Sequence, residues 1–245
     1  MQRNLKTNAI ILRNRKYGEM HKIVTMLTPE HGLIDALAYG GYKGKLKSLT
    51  NPFHICTVSI YSNPVKQTNK ISDVDVIDYL YSMREDMKRF LGASLFAEII
   101  LRSYAGGEGE SYSLMEKGLY TLASTQKESI DFVIIQFIRR YMKILGEEPQ
   151  FYTCQACGAE ADGADLVYYD STRGGFYCEN CASIRENPLS GGARAYLRQT
   201  GRMPFSEAVK VKLDAKSLVN MKHLFFRMIE SIIESQLNTL GLAGL

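Results

Sequence analysis

The sequence predicts an α+β fold: a small closed β barrel over the first eighty residues, then a helical domain carrying a four-cysteine insert. Three observations predict it. Short segments with period-two alternation are confined to residues 1–80, three- and four-residue apolar spacing dominates after them, and a C-x-x-C pair recurs after twenty intervening residues. The division expected is 1–80 for the barrel and 81–245 for the helical domain, with the cysteine insert at 151–185.

The strand segments are NAIILR, HKIVTMLT, GLIDALAY, FHICTVSIY and KISDVDVIDYL, rich in Ile, Val, Thr and Tyr. Turn material separates them, namely TPEHG, GGYKGK and SNPVKQ. In the fourth, Phe53, Ile55, Thr57 and Ser59 alternate with His54, Cys56, Val58 and Ile60; in the fifth, Val74 and Val76 alternate with Asp73 and Asp75. Five strands with no helix long enough to cover an open sheet would leave exposed edges, so the sheet is expected to close on itself.

Helical spacing begins near residue 83. It runs through 83–105, 112–124 and 129–145, with AGGEGES at 105–111 as a break. The segment from Phe132 to Ile144 is apolar nearly all round, which in a chain without membrane spans reads as a central buried helix. Leu218, Met221, Phe225, Met228 and Ile232 form the stripe of a last long helix, with Ser217 as its expected N-cap. Such stripes read as core.

With 45% hydrophobic and 23% charged residues, the chain has the composition of a globular protein, not a disordered or fibrous one. No apolar run approaches the roughly 18 residues of a membrane span. The opening MQRNLKTNAI lacks a signal-peptide pattern, so a cytoplasmic location is expected. The formal charge is only +4, yet residues 1–70 hold eleven Lys/Arg against Glu19, Glu30 and Asp35. Such a segment can hold a polyanion by releasing its counterions.

Within it, Tyr39 to Lys47 combines three glycines, three lysines and two tyrosines. Glycines let a backbone approach a ligand, lysines neutralise phosphate, and an exposed ring stacks on a base. The candidate DNA contacts are Tyr42, Lys43, Lys45 and Lys47, extended by Arg13, Arg15, Lys16 and Lys22 around the first turn. For Lys66 and Lys70 a solvated turn is the expectation, and Tyr39 divides evenly between stacking and barrel packing.

Cys154, Cys157, Cys178 and Cys181 are spaced as two tight turns that close a tetrahedron of thiolates around Zn²⁺. An iron–sulfur cluster uses the same thiolates, so spacing alone leaves it open. With four cysteines and no open position, a zinc ion here would be structural. Gly158 follows the first pair where the turn needs it, and VYYDSTRGGFY reads as a hairpin of a zinc ribbon, with Arg173 at its tip. Cys56, in the apolar fourth strand, reads as a buried thiol.

The common catalytic patterns are missing from the sequence. The GGYKGKL loop fails as a P-loop at both ends, since Tyr39 stands at the first glycine position and Leu46 at the Ser/Thr. Neither G-x-S-x-G nor H-E-x-x-H occurs, and no zinc-deaminase pattern does. His21, His31, His54 and His223 are scattered. A non-enzyme is the expectation.

Taken together, the run AIILRNRKYGEMHKIVTMLTPEHGLIDALAYGGYKGKLKSLTNPF resembles the N-terminal segment of the bacterial recombination mediator family RecO, and the helical stretch with its C-x-x-C pairs continues the likeness. Its most specific elements are the LTPEHGL turn from Leu27 to Leu33 and the glycine–lysine loop followed by Pro52 and Phe53. Tyr39 is a departure, standing where related sequences often carry a basic residue. The resemblance implies an N-terminal OB-fold, a helical C-terminal domain and the zinc ribbon that some members possess. It also implies binding of single- and double-stranded DNA, annealing of complementary strands, cooperation with RecR, contact with the C-terminal tail of SSB through the helical domain, and help for RecA in replacing SSB. A cytoplasmic, nucleoid-associated location goes with these roles, and neither a membrane nor a small-molecule substrate. The alternative expectation is a zinc-ribbon adaptor that binds proteins without touching DNA.

Overall fold

Period-two alternation in the first eighty residues builds five strands: β1 (Asn4–Tyr17), β2 (His21–Thr28), β3 (Gly32–Ala38), β4 (Ile55–Asn63) and β5 (Thr68–Asp78), with the single-turn helix α1 (Leu46–Leu49) between β3 and β4. The computed structural model describes residues 4–63, 68–103, 109–163, 165–186 and 188–242. Arg3, Lys66 and most of the expected break at 105–111 lie outside the described residues. The strands close into a barrel in the order β1-β2-β3-β5-β4, antiparallel except where β3 meets β5. This is the five-stranded arrangement of the OB-fold.

The alternation decides what fills the barrel. Ala9, Ile11, Val24, Met26, Ala36, Ala38, Cys56, Val58, Ile60, Ile71 and Val74 point inward, and Leu46 and Leu49 of α1 pack against them. Each such side chain taken fully from water contributes roughly 1–3 kcal/mol. β1 changes phase partway along. Its register with β2 slips between Ile11 and Arg13, making Leu12 an extra residue, and beyond the bulge Arg13, Arg15 and Tyr17 pair with Thr25, Ile23 and His21. Without that slip they would continue the inward phase of Ala9 and Ile11, because a one-residue shift moves every side chain to the other face. Cys56 is buried, its thiol turned to the Ala9 carbonyl, and burial pushes its pKa up to about 12.

The chain divides into two compact units, Met1–Ala123 and Ser124–Leu245. After the barrel the first unit adds α2 (Ser82–Glu85), α3 (Met87–Ser103) and α4 (Glu110–Ser124). The single helix expected over 83–105 is broken at Asp86, whose backbone is extended and whose carboxylate accepts the Arg89 N–H at 3.0 Å. A short acidic side chain that satisfies a helix's free N–H groups starts a new helix more readily than it continues an old one.

The second unit contains α5 (Ile130–Ile144), the hairpin strands β6 (Val167–Asp170) and β7 (Gly175–Cys178), α6 (Gly191–Thr200), α7 (Phe205–Ala208) and α8 (Ala215–Ile232). As its all-round apolarity requires, α5 is buried along most of its length, and it packs on α8, which α6 also touches. The cap of α8 is Asp214, not Ser217: the Asp214 carboxylate accepts the Ser217 N–H at 2.9 Å, so the helix begins earlier than expected. The polar residues of α5 are not a solvated face. Gln136 is fully buried and donates to the Tyr196 hydroxyl at 2.8 Å and to Thr200 Oγ1 at 3.0 Å, while its carbonyl accepts from Arg140. Arg139 pairs with Glu148 at 2.7 Å and donates to the Leu197 carbonyl.

This network ties α5 to α6, and breaking it costs buried groups hydrogen bonds that no water replaces. Gln136→Leu keeps the volume but takes a partner from Arg140 and from the Tyr196 and Thr200 hydroxyls, of which Arg140 keeps the Met203 carbonyl and Thr200 the Tyr196 carbonyl, and is expected to destabilise the helical unit by about 2 kcal/mol. Urea unfolding followed by circular dichroism measures the shift.

Candidate nucleic-acid face and metal centre

Two places in the structure concentrate chemistry: the outer face of the barrel around its first hairpin, and the four cysteines. At the first, the loop from Tyr39 to Lys45 is fastened by main-chain contacts. The Gly40 N–H donates to His21 Nδ1 at 3.0 Å, the Tyr42 N–H to the Met20 carbonyl at 3.3 Å, and the Gly44 N–H to the Gly40 carbonyl at 2.7 Å. Gly40 sits at φ +63°, a conformation L side chains rarely adopt, and a Cβ on Gly41 would overlap the Lys22 stem. The loop therefore needs its glycines, while Tyr42, Lys43, Lys45 and Lys47 stay exposed along it.

Of the other expected contacts, Arg13, Arg15 and Lys16 are exposed on β1. Arg15 is held by the Asp35 carboxylate at 2.6 Å and Lys45 by Asp73 at 3.3 Å, so part of the basic charge is answered locally. Lys22 is placed differently. It is 3% exposed, in phase with the inward Val24 and Met26, and its amine donates to the Lys47 carbonyl at 3.3 Å beneath α1. Burial lowers its pKa from the ordinary 10.5. Lys22 props the loop from inside the barrel. The alternation of β2 carries that signal in the sequence, since the residue two before Val24 shares its face.

The second place is the ribbon. Cys154 and Cys157 lie in one turn, closed by the Gly158 N–H on the Cys154 carbonyl at 2.9 Å, with Gly158 at φ +70°. Cys178 and Cys181 lie in a second turn, closed by the Ala182 N–H on the Cys178 carbonyl at 2.9 Å. The four sulfurs are within 4.8 Å of one another, and Cys157 and Cys178 are 3.9 Å apart. A tetrahedral ion with metal–sulfur bonds of about 2.3 Å sets its ligands about 3.8 Å apart, so the set fits one four-coordinate ion. The thiols perturb one another. Burial opposes ionisation of Cys154, but the N–H groups of Cys178, Cys157 and Ala156 outweigh it and bring the pKa down to about 6. Cys181, hydrogen-bonded to the Cys178 and Cys157 thiols, is pushed up to about 12. All four would ionise together only around a cation, and the cluster could hold a metal ion.

The hairpin that carries the second turn is clamped at its tip. Asp170 accepts from the Thr172 hydroxyl at 2.6 Å and from Arg173 Nε at 2.8 Å, which hold its carboxyl well below the usual carboxylate range. Arg173 also lies 3.8 Å from the Tyr177 ring centroid. It is a clamp on its own hairpin. Phe176 of β7 packs on Phe151, and Phe151 on Phe225 of α8, so the ribbon is anchored in the core of the second unit.

Comparison with known proteins agrees with this architecture. The family model for the recombination protein O N terminal matches residues 1–80, and that for the recombination protein O C terminal matches residues 84–241. The chain belongs to the RecO family. It is 31% identical over 200 residues to the DNA repair protein RecO of Bacillus pumilus, covering 79% of this chain and 75% of that one. It is 28% identical over 238 residues to the DNA repair protein RecO of Myxococcus xanthus, covering 92% and 94%. Membership brings a DNA repair role with it, and the closed barrel and cysteine cluster expected from the sequence are both present. Among the described residues, no helix is long and apolar enough to cross a membrane.

What the sequence did not signal in this RecO-family chain is the set of counter-charges. Asp35 and Asp73 are remote from Arg15 and Lys45 in sequence; the first pair meets through strand pairing and the second where α1 lies against β5.

Two outcomes follow from the geometry. Lys22→Met is expected to match or exceed the wild type in stability at neutral pH, because it removes a charge held out of water. A depressed native pKa means that the unfolded chain binds more protons between that value and 10.5. Wild-type stability therefore gains on that of Lys22→Met as pH rises through this window, which thermal melts at several pH values measure. Elemental analysis of the purified chain is expected to give one metal ion per chain, lost in Cys157→Ser together with protease resistance of residues 151–185.

Proposed function

We propose that this chain is a non-enzymatic, DNA-binding recombination mediator, whose barrel, residues 1–80, grips phosphate and whose helical part, residues 81–245, meets protein partners. The observation that carries the reading is the placement of Lys43, Lys45 and Lys47: exposed, on a loop pinned to the first hairpin and on the turn of α1 that follows it, beside an OB-type barrel. In this fold the face of strands 2 and 3 with its bordering loops is where oligonucleotides bind. Arg13 and Arg15 extend the basic surface along the outside of β1, Lys16 stands exposed in the other phase, paired with Lys22, and Tyr42 offers a ring among the lysines. Lys22 serves the site by holding the loop.

Single- and double-stranded DNA both satisfy such a surface, because phosphate contacts carry no sequence information. Annealing follows if the lysines screen the repulsion between two strands while leaving base edges free. With RecR, and through contact with the C-terminal tail of SSB, the protein would help RecA onto SSB-coated DNA, acting in the cytoplasm at the nucleoid. The ion in the cysteine cluster is Zn²⁺ on this reading. Cys154, Cys157, Cys178 and Cys181 would hold it with no open position, so it would stabilise the ribbon and take no part in chemistry.

The test is salt dependence. If about five basic residues meet phosphate, log K for a labelled single strand is expected to fall against log salt with a slope of roughly −3.5. Reversing three lysines, Lys43→Glu, Lys45→Glu and Lys47→Glu, is expected to weaken binding, flatten the slope by about 2 and abolish annealing with the fold intact. A wild type that binds no DNA at low salt would leave a protein-only ribbon adaptor as the reading.

A further inference from the structure

The outer face of the barrel carries a row that the lysines do not explain. Tyr17 pairs with His21 across β1 and β2, and Lys22 pairs with Ala38, so the same register sets His21 opposite Tyr39. The ring contact bears this out: His21 and Tyr39 meet edge to face with centroids 4.9 Å apart. Paired residues share a face. Tyr17, His21 and Tyr39 therefore form one transverse row on the outside of the sheet, about 10 Å across at two strand spacings.

A cation and a further ring adjoin it. Lys70 of β5 pairs with Leu37 of β3 and Tyr61 of β4, and its amine lies 5.0 Å from the Tyr39 ring centroid. Arg15 stands one outward position back from Tyr17. Tyr17, Tyr39 and Tyr61 are 53%, 49% and 36% exposed. Single exposed rings need no explanation, but a row of them bordered by cations on an OB-type face does.

We propose that the row Tyr17–His21–Tyr39, continued by Tyr61 beside Lys70, is a stacking platform for unpaired bases, which makes the barrel prefer single strands to duplex. This rests on the proposal that the barrel binds DNA, and adds to it the groups that meet the bases. His21 sets the platform: with Nδ1 engaged by the Gly40 N–H, its ring is locked in the row and meets the Tyr39 ring edge to face. Lys70, and Arg15 with its Asp35 partner, lie beside the rings, where the strand's phosphates run. Duplex DNA keeps its bases stacked on one another, so it gains the lysine contacts but not these.

The experiment compares wild type, Tyr39→Leu, Tyr39→Phe and a Tyr17→Leu/Tyr39→Leu/Tyr61→Leu variant, each checked for folding by circular dichroism and thermal melting. Binding of a labelled single strand, its abasic counterpart and a duplex of the same sequence is titrated at several salt concentrations. Tyr39→Leu is expected to lose roughly 5- to 150-fold on the single strand, the range for one stacked base, with the salt slope and duplex affinity unchanged. Tyr39→Phe, which keeps the π-face, should bind as wild type does, and the abasic strand should bind wild type and the triple variant alike. Equal losses on single strand and duplex, or no loss in the triple variant, would overturn the platform while leaving the DNA reading standing. A wild type that binds no single strand would overturn both.

Discussion

Closure of the barrel is the constraint on which the N-terminal unit depends. β3 lies parallel to β5 at Leu37 and Lys70, and that contact completes the ring that the antiparallel pairs begin. A closed sheet has an inside and an outside, and every residue on its strands is committed to one or the other by its phase. The inside fills with Ala, Val, Ile and Met, plugged by Leu46 and Leu49. The outside is left with the charges and rings. The bulge at Leu12 is the one place where β1 trades phases, and it turns Arg13, Arg15 and Tyr17 from prospective core residues into surface ones.

That single extra residue also marks the limit of what the sequence discloses. Five strands, their order along the chain and the barrel they form are legible, because alternation and turn chemistry are local. The bulge is not, because NAIILR reads the same with or without it. Lys22 is the converse: its inward position is written in the phase of Val24 and Met26, but a charge count assigns it to the surface. The pairing of Arg15 with Asp35 and Lys45 with Asp73, and the network around Gln136, arise from residues that chain geometry brings together from far apart. Local pattern holds no record of them. The breaks at Asp86 and Asp214 lie between these cases, since an Asp can either cap a helix or face solvent within it, and the decision falls to its neighbours.

The ribbon follows a different logic from the barrel. It has too few apolar residues to bury a core of its own, so it relies on cross-links: the sulfurs at its base, the Asp170–Arg173 clamp at its tip, and Phe176 reaching Phe151 and thence α8. Only the sulfurs, set by two C-x-x-C turns, follow from local spacing and are legible in the sequence; the clamp and the phenylalanine contacts emerge with the fold. The helical core receiving it is held by apolar burial and by the Gln136 network, with Arg139 lying over Phe151 and so joining the two.

The fastening of the lysine loop has a consequence for how such a surface can change over generations. Its shape is held by main-chain groups, by glycine, by Lys22 underneath and by two leucines, while among the described residues the side chains of Lys43, Lys45 and Lys47 make one exposed ion pair, worth at most about 1 kcal/mol. Charge and architecture are thus carried by separate atoms. A lineage facing a saltier cell interior, or needing a looser grip, can add or remove a lysine here without disturbing the fold, and selection can tune the strength of the grip while the frame that aims it stays the same.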